Sequence, residues 1–207
     1  MSELSDAPAR PSRGPVSHEA LETLFLNARS HNGWTDRPVP ETLLRRIYAT
    51  AVMGPTATNS QPQRIVFVTS VEAKSKLVAI MDEGNRRKVA QAPVTALFAY
   101  DLFFPDRLPE TFPHADAKSW YNGDAQLILE TARRNGSLQA AYFMIAARAH
   151  GLDVGPMSGF DPVALKAAFF PEMNWQPNFV CSLGYGNGER MFDRLPRLGF
   201  DSTSLIL

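Results

Sequence analysis

Residues 93–100, Pro-Val-Thr-Ala-Leu-Phe-Ala-Tyr, form an almost continuously apolar run. A strand with apolar residues on both faces has to be covered on both sides, so this run predicts a central strand of a sheet packed between helices. The fold class predicted for the chain is α+β: one helix-rich domain around a small mixed β-sheet. Further strands are predicted at 64–69 and 179–184, and helices at 17–32, 40–53, 71–82, 124–150 and 161–170.

The first predicted helix places residues of functional interest at its end. Apolar residues from Leu21 to Ala28 follow helical spacing after Ser17, a suitable N-cap, and we expect this helix to end near Asn32. It would then present Arg29, Ser30, His31 and Asn32 at its C-terminal end. The helix over 124–150 could break at Asn135 and Gly136.

The size and charge of the chain limit the classes of protein to which it can belong. A length of 207 residues fits one domain, predicted over 17–207, after a tail at 1–16 that is rich in Pro, Ser and Arg and is predicted to be disordered. The formal net charge of zero argues against binding to nucleic acid. No apolar run is long enough to span a membrane, and no secretory signal is visible, so a cytoplasmic location is expected.

The sequence contains one cysteine, Cys181, inside a predicted buried strand, which favours a structural thiol. No Cys/His cluster has zinc spacing, and we expect no metal site. Glycines 184, 186 and 188 follow a strand, but their spacing does not match the dinucleotide-binding fingerprint. No Gly-x-Ser-x-Gly element is present, which argues against a hydrolase.

Three segments carry small and polar residues at positions where a core would not need them. Residues 54–62, Gly-Pro-Thr-Ala-Thr-Asn-Ser-Gln-Pro, lie between a helix and a strand and predict a tight loop with exposed polar groups. Arg29 and Ser30 supply the fork and hydroxyl that suit a phosphate ester. Residues 155–161, Gly-Pro-Met-Ser-Gly-Phe-Asp, include two glycines that allow a close backbone approach to a ligand.

Each of these segments also has a simpler interpretation. Arg29 could be an ordinary surface residue, Asn59 and Gln61 could only keep a loop in solution, and residues 155–159 could be a plain connection. Residues 101–123 form a long aromatic-rich excursion without a clear period, which is more typical of a lid or pocket wall than of filler.

Taken in order along the chain, the three segments resemble the flavin-binding segments of the nitroreductase family. The resemblance is carried by Arg-Ser-x-Asn with Trp34, by residues 55–62, by 151–161 and by the Leu-Gly-Tyr-Gly at 183–186 followed by Arg194 and Arg197. It covers the chain from about residue 17 onward. Residues 31–35, 112–120, 155–161 and 194–198 resemble the malonic semialdehyde reductase branch of that family, which belongs to pyrimidine catabolism.

The resemblance implies a nitroreductase-like fold, an intertwined homodimer and two FMN sites at the subunit interface. Arg29 and Ser30 match the phosphate-binding segment, together with Arg197 and, less closely, Arg194. His31 and Asn32 stand where many relatives carry a further Arg or Lys, so the phosphate is held less tightly here or by His31 instead. The implied cofactor-binding residues from the other two segments are Pro55, Thr56, Ala57, Asn59 and Gln61, which reach the flavin from the partner subunit, and Pro156, Met157, Ser158 and Gly159, which lie along the isoalloxazine ring.

The same resemblance implies hydride transfer from NADH or NADPH through the flavin to malonic semialdehyde, without a catalytic side chain. Lys118 and Arg107 are candidates for binding the carboxylate of this substrate. Two alternatives stay open: a broad NAD(P)H nitro- or quinone reductase, and a flavin-binding protein without turnover.

Overall fold

The structure is a computed structural model that describes residues 14–207. Of the predicted tail at 1–16, residues 1–13 lie outside the described residues, and its disorder stays a prediction. The chain begins with a short helix, α1 (His18–Leu21), which continues as a π-helical turn (Glu22–Leu26). The helices that follow are α2 (Glu41–Ala51), α3 (Val71–Ile80), α4 (Glu83–Gln91), α5 (Leu108–Thr111), α6 (Ala125–Ala149) and α7 (Pro162–Phe169). The strands are β1 (Gln63–Val68), β2 (Val94–Asp101), β3 (Asp153–Met157) and β4 (Trp175–Gly184).

The strands form one sheet in the order β1-β2-β4-β3, and each neighbouring pair is antiparallel. The prediction of a mixed sheet was therefore wrong for the strands themselves. Parallel pairing occurs at an isolated bridge between Ser30 and Val154, where the segment after the first helix touches β3. Strand β3 was not predicted from the sequence, because Gly155 and Pro156 are poor strand formers. An edge strand tolerates proline, since the amide it lacks would face away from the ladder.

Both faces of the sheet are covered by helices, and all eight residues of β2 are buried, as predicted for a central strand. One face packs Phe98 and Leu183 against Ile47 of α2 and Phe143 of α6. The opposite face packs its apolar residues against α3, α4 and α7. Cys181 lies in the first of these cores, and burial raises the pKa of its thiol to about 12, as expected of a structural cysteine.

The first helix and α6 differ from the helices predicted for these residues. The first helix ends at Leu26 rather than near Asn32, because residues 30–31 bond to the edge of the sheet instead of continuing the helical ladder. Helix α6 runs without a break through Asn135 and Gly136. A Cβ added at Gly136 would lie 3.0 Å from the Cβ of Tyr100, so this glycine allows the helix to pack closely on β2.

The excursion at 101–123 contains α5 and two short 3₁₀ turns (Phe104–Arg107 and Ala117–Tyr121). These pack into a small core of their own that includes Phe104, Leu108, Tyr121 and Ala132 of α6. After β4 the chain continues to Leu207 with a single 3₁₀ turn (Phe200–Ser202), and many apolar side chains here are exposed. Within residues 14–207, no helix combines the length and apolar character that a bilayer span needs.

Candidate functional site

The segment at residues 29–32 is fixed to the edge of the sheet at β3. The His31 amide donates to the carbonyl of Val154 at 3.0 Å, next to the bridge between Ser30 and Val154. Gly155 is required here because a Cβ at that position would lie 2.5 Å from the carbonyl oxygen of His31. The close backbone contact that Gly155 allows is therefore with His31 of the same chain.

The His31 side chain is directed at Asp153 rather than toward solvent. Its Nε2 lies 3.2 Å from Asp153 Oδ1, while the Gly186 amide donates to Asp153 Oδ2 at 2.8 Å. A Cβ at Gly186 would collide with Nδ1 of His31. Burial raises the pKa of Asp153, but the hydrogen bonds from His31 and Gly186, with the charges of His31 and Arg148, more than offset it and leave that pKa below its usual value. Since both ring nitrogens of His31 face protein groups, this histidine is a poor candidate for a phosphate ligand.

The C-terminal segment meets the same region and brings further arginines to it. Arg29 donates to the carbonyl of Phe192, and Arg194 donates to the carbonyls of Leu26 and, at 3.1 Å, Ala28. Asn32 Nδ2 donates to the carbonyl of Arg190 at 2.9 Å. The structure therefore joins two segments that are more than 150 residues apart in the sequence.

Among the described residues, no carboxylate pairs with Arg29 or Arg194 of this cluster, or with Arg197, whose hydrogen bonds lie within the C-terminal segment. Arg29 and Arg194 bond to carbonyl oxygens, and Arg197 bonds to the carbonyls of Leu195 and Pro196 at 3.0 and 3.3 Å. Over the part of the chain that the structure describes, none of the three has a carboxylate within 4.0 Å. Guanidinium groups without a carboxylate partner, on a segment that also carries the hydroxyl of Ser30, suit a phosphate dianion.

Residues 156–159 continue along the same edge of the sheet. Pro156 and Ser158 are exposed, whereas Met157 is buried. A cavity of about 310 Å³ is lined by Ser158, Tyr100 and Asn178, among others. A Cβ at Gly159 would lie 2.6 Å from Asp82 Oδ2, so Gly159, like Gly155, is explained by a contact within the chain.

The loop at residues 55–62 has a strained backbone. Thr58, Asn59 and Gln61 have positive φ angles of 50°, 48° and 42°. Positive φ is uncommon outside glycine and is a genuine outlier for a β-branched residue such as Thr58. Asn59 Nδ2 donates to the carbonyl of Thr111 at 2.8 Å, and Gln61 Nε2 donates to Asn59 Oδ1 at 3.0 Å. Strain of this kind persists where the surrounding structure holds it, and it is frequent at binding sites.

This loop lies far from the arginine cluster within one chain. It leads into Gln63 of β1, whereas His31 bonds to β3 at the opposite edge of the sheet. Three inter-strand steps separate the two edges by about 14 Å. Along the strands, the register places Gln63 at the level of Tyr100 and Val154 at the level of Val94, a further offset of about 20 Å. One chain thus brings together the first and third segments but not the second.

A groove of about 1100 Å³ runs beside the loop, between α2, β1 and α5. Tyr48, Ile65 and Phe67 supply apolar lining, and Gln61 and Arg107 lie in it. Ser60 Oγ and Gln63 Nε2 are buried there without a hydrogen-bond partner among the described residues. Neither Ser60 nor Gln63 was among the individually predicted site residues, because their burial depends on how the loop packs and has no sequence pattern of its own.

The two predicted substrate cations have different surroundings. Lys118 Nζ lies 2.7 Å from Asp106 Oδ1, and Lys118 lines a cavity of about 380 Å³ with His114. Arg107 lies 3.7 Å from Glu110 and faces the large groove. Residues 14–207 contain no cluster of three or more His, Cys, Asp or Glu side chains placed to hold a metal ion.

Comparison with known proteins supplies the family. The model of the "Nitroreductase family" matches residues 26–185. A Stutzerimonas stutzeri protein with the provisional name NADH dehydrogenase/NAD(P)H nitroreductase is 53% identical over 93% of this chain and 98% of its own length. A Ralstonia nicotianae protein with the same kind of name is 51% identical over 90% of this chain and 96% of its own.

Solved structures agree on the fold. A crystal structure from Exiguobacterium sibiricum, provisionally described as a nitroreductase in complex with FMN, superposes with a TM-score of 0.81. It is 19% identical, over 93% of this chain and 99% of that one. At this low identity, the similarity shows the fold alone. The family model and the curated relatives cover most of the chain and agree with each other, and this protein belongs to the nitroreductase family.

Proposed function

We propose that the protein is an FMN-dependent NAD(P)H oxidoreductase that reduces malonic semialdehyde to 3-hydroxypropionate. The proposed dependence on FMN rests on the arginine cluster at the edge of β3. There, Arg29 and Arg194 have no carboxylate partner among the described residues. Such a donor set fits the FMN phosphate. The proposed use of NADH or NADPH rests on the names of the curated relatives.

Each segment has a role in holding the cofactor. Arg29, Ser30, Arg194 and Arg197 bind the phosphate, and Pro156, Met157, Ser158 and Gly159 lie along the isoalloxazine ring. Asn32 ties the two phosphate-binding segments together through the carbonyl of Arg190. His31 acts indirectly, since its contact with Asp153 fixes the segment that carries Arg29.

The loop with Pro55, Thr56, Ala57, Asn59 and Gln61 would reach the flavin from a second copy of the chain. The separation between this loop and the arginine cluster supports a site shared between two subunits. The C-terminal segment supports it as well, because Leu198, Leu205 and Leu207 are exposed. Covering these side chains and the groove beside β1 would give a homodimer a substantial apolar interface.

Bound FMN would supply hydride chemistry between NADH or NADPH and the substrate. The chain itself binds and orients the reactants and excludes water. For the carboxylate of malonic semialdehyde, Arg107 is the better of the two candidate cations, because its carboxylate neighbour Glu110 lies 3.7 Å away whereas Lys118 is paired with Asp106 at 2.7 Å. A cytoplasmic location and a place in pyrimidine catabolism stay predictions.

The first alternative is a broad NAD(P)H nitro- or quinone reductase, which the names of the curated relatives favour. The large groove with mixed apolar and polar lining is compatible with aromatic acceptors. The second alternative is a flavin-binding protein without turnover.

An absorption spectrum of the purified protein separates these functions. We expect the bands of oxidised flavin, their loss on anaerobic addition of NADPH or NADH, and their return on addition of malonic semialdehyde. Return only with a nitroarene or quinone would replace the aldehyde reductase with the broad reductase. Flavin that neither NADPH nor NADH reduces would indicate the protein without turnover, and failure to bind added FMN would refute all three.

A pair of variants tests whether the arginine cluster is the cofactor site. Removing Arg29 as Arg29→Gln should weaken FMN binding by about tenfold to a hundredfold, the usual value of a charged hydrogen bond. Lys76→Gln removes a positive charge on α3, where Lys76 pairs with Glu72, and should leave the affinity unchanged. Equal effects of the two variants would argue against a specific phosphate site.

A further inference from the structure

Helix α6 carries a buried stripe of polar side chains that has no role in the proposed function. Thr131, Asn135 and Gln139 are four residues apart, so they lie on one face of the helix, and their exposed fractions are 6%, 2% and 6%. A buried polar side chain costs stability unless it is hydrogen-bonded. The partners of these side chains therefore indicate what they are for.

Two of the three side chains bond to the strained loop. Asn135 Oδ1 accepts from the amide of Ala57 at 2.8 Å, and Gln139 Oε1 accepts from the amide of Gln63 at 2.9 Å. Asn135 is itself oriented by a bond from its Nδ2 to the carbonyl of Thr131 at 2.9 Å. The two carboxamides thus hold the two ends of residues 57–63.

Every left-handed residue of the loop lies between these two bonds. Thr58, Asn59 and Gln61 have positive φ and are enclosed by the anchored amides of Ala57 and Gln63. A backbone in this conformation relaxes unless other contacts oppose the relaxation. Because α6 is a long helix packed on both α2 and the sheet, it offers a rigid support for the loop.

We propose that Asn135 and Gln139 are positioning residues that hold the 57–63 loop in the geometry that binds the flavin. The inference rests on the proposed function, in which this loop contacts FMN. A preformed loop spares binding the free-energy cost of ordering it. Asn135 and Gln139 act through the loop and do not contact the cofactor themselves.

The test separates anchoring of the loop from general support of the core. Asn135→Ala and Gln139→Met each remove one acceptor, while Thr131→Val removes a hydroxyl from the same buried stripe and keeps its shape. We expect amide exchange to rise about tenfold at Ala57 in the first variant and at Gln63 in the second, the effect of losing one hydrogen bond. The Thr131→Val protein should exchange like the unmodified protein at both amides.

FMN affinity, measured by flavin fluorescence, provides the functional readout. Both acceptor variants should bind FMN about tenfold more weakly, and Thr131→Val should bind normally. Adding Thr58→Gly to Asn135→Ala should recover part of the loss, because glycine adopts positive φ without strain. If Asn135 only supported the core, Thr58→Gly would not restore any FMN affinity.

Three results would overturn the proposal: unchanged exchange at both amides in the acceptor variants, equal weakening of FMN binding by Thr131→Val, or no recovery with Thr58→Gly. Failure of the unmodified protein to bind FMN would instead refute the proposed function. The exchange measurements would then still decide whether the two carboxamides anchor the loop.

Discussion

At the residue scale, the contacts around Asp153 connect the sheet, the first helix and the chain after β4. Its carboxylate accepts from the Gly186 amide and lies beside His31, which is itself bonded to Val154 through the backbone. Each of these groups favours the ionised carboxylate, and together they lower the pKa of Asp153 despite its burial. Stability linked to such a group is complete above the usual pKa and is lost as the pH falls through the lower folded-state value.

This linkage makes Asp153→Asn a pH-dependent change. At pH 7 the variant should be less stable by about 1 kcal/mol or less, because the Asp153 side chain is 43% exposed and solvent screens its charge. The difference between the two proteins should shrink as the pH falls below 3.8, the usual pKa of this carboxyl. Urea unfolding at several pH values measures this difference, and a difference that grows as the pH falls below 3.8 would contradict a lowered pKa for Asp153.

At the element scale, helix ends depend on identifiable caps. Ser17, Ser70 and Asp124 accept from backbone amides at the starts of α1, α3 and α6. Asp161 accepts from the amides of Val163 and Ala164 at 2.9 and 3.0 Å at the start of α7. These bonds satisfy amides that have no partner within the helix.

Replacing the cap of α7 should have a defined cost. Asp161→Ala should destabilise the protein by about 1 kcal/mol, the usual loss for such a cap. In a chain of this size that corresponds to a fall in Tm of about 2–4 °C. Asp161→Asn keeps an acceptor and should stay close to the parent Tm; equal losses in the two variants would mean that the cap is not the cause.

Much of the element pattern could be predicted from the sequence. The periodic apolar positions of α2 and α6 and the buried run of β2 were sufficient, because local spacing reports directly on burial. The end of the first helix and the strand β3 were not predictable in this way. Both depend on pairing between Ser30, His31 and Val154, which are far apart in the sequence.

The candidate site, like the fold, could be predicted from the sequence only in part. The resemblance selected the arginines and the loops, but it could not predict that His31 faces Asp153 or that Gly159 packs on Asp82. It also gave no indication of Asn135 and Gln139, since an amide on a helix has many possible partners until the fold is known. Only the packed chain identifies those partners.

At the scale of the whole molecule, the apolar surface is uneven. The segment after β4 exposes Phe192, Leu195, Leu198, Phe200 and the final Leu-Ile-Leu. The groove beside β1 exposes further apolar lining. Large exposed apolar areas usually mark surfaces that another chain covers.

Sedimentation should therefore find a particle of twice the 22.9 kDa chain mass. Combining Leu198→Ser, Leu205→Ser and Leu207→Ser should shift it toward the single chain, since burial of each leucine contributes roughly 1.5–3 kcal/mol. Val71→Ser changes an equally exposed residue at the start of α3 and should leave the mass unchanged. A single chain in the parent protein would remove the basis for a site shared between two subunits.

The buried thiol has a practical consequence for such experiments. Cys181 lies in the core with a pKa of about 12, so hardly any reactive thiolate is present at neutral pH. It is also the single cysteine of the chain. A cysteine introduced at Thr58 would consequently carry a fluorophore or spin label alone, without any need to remove the native residue, and would report the motion of that loop directly.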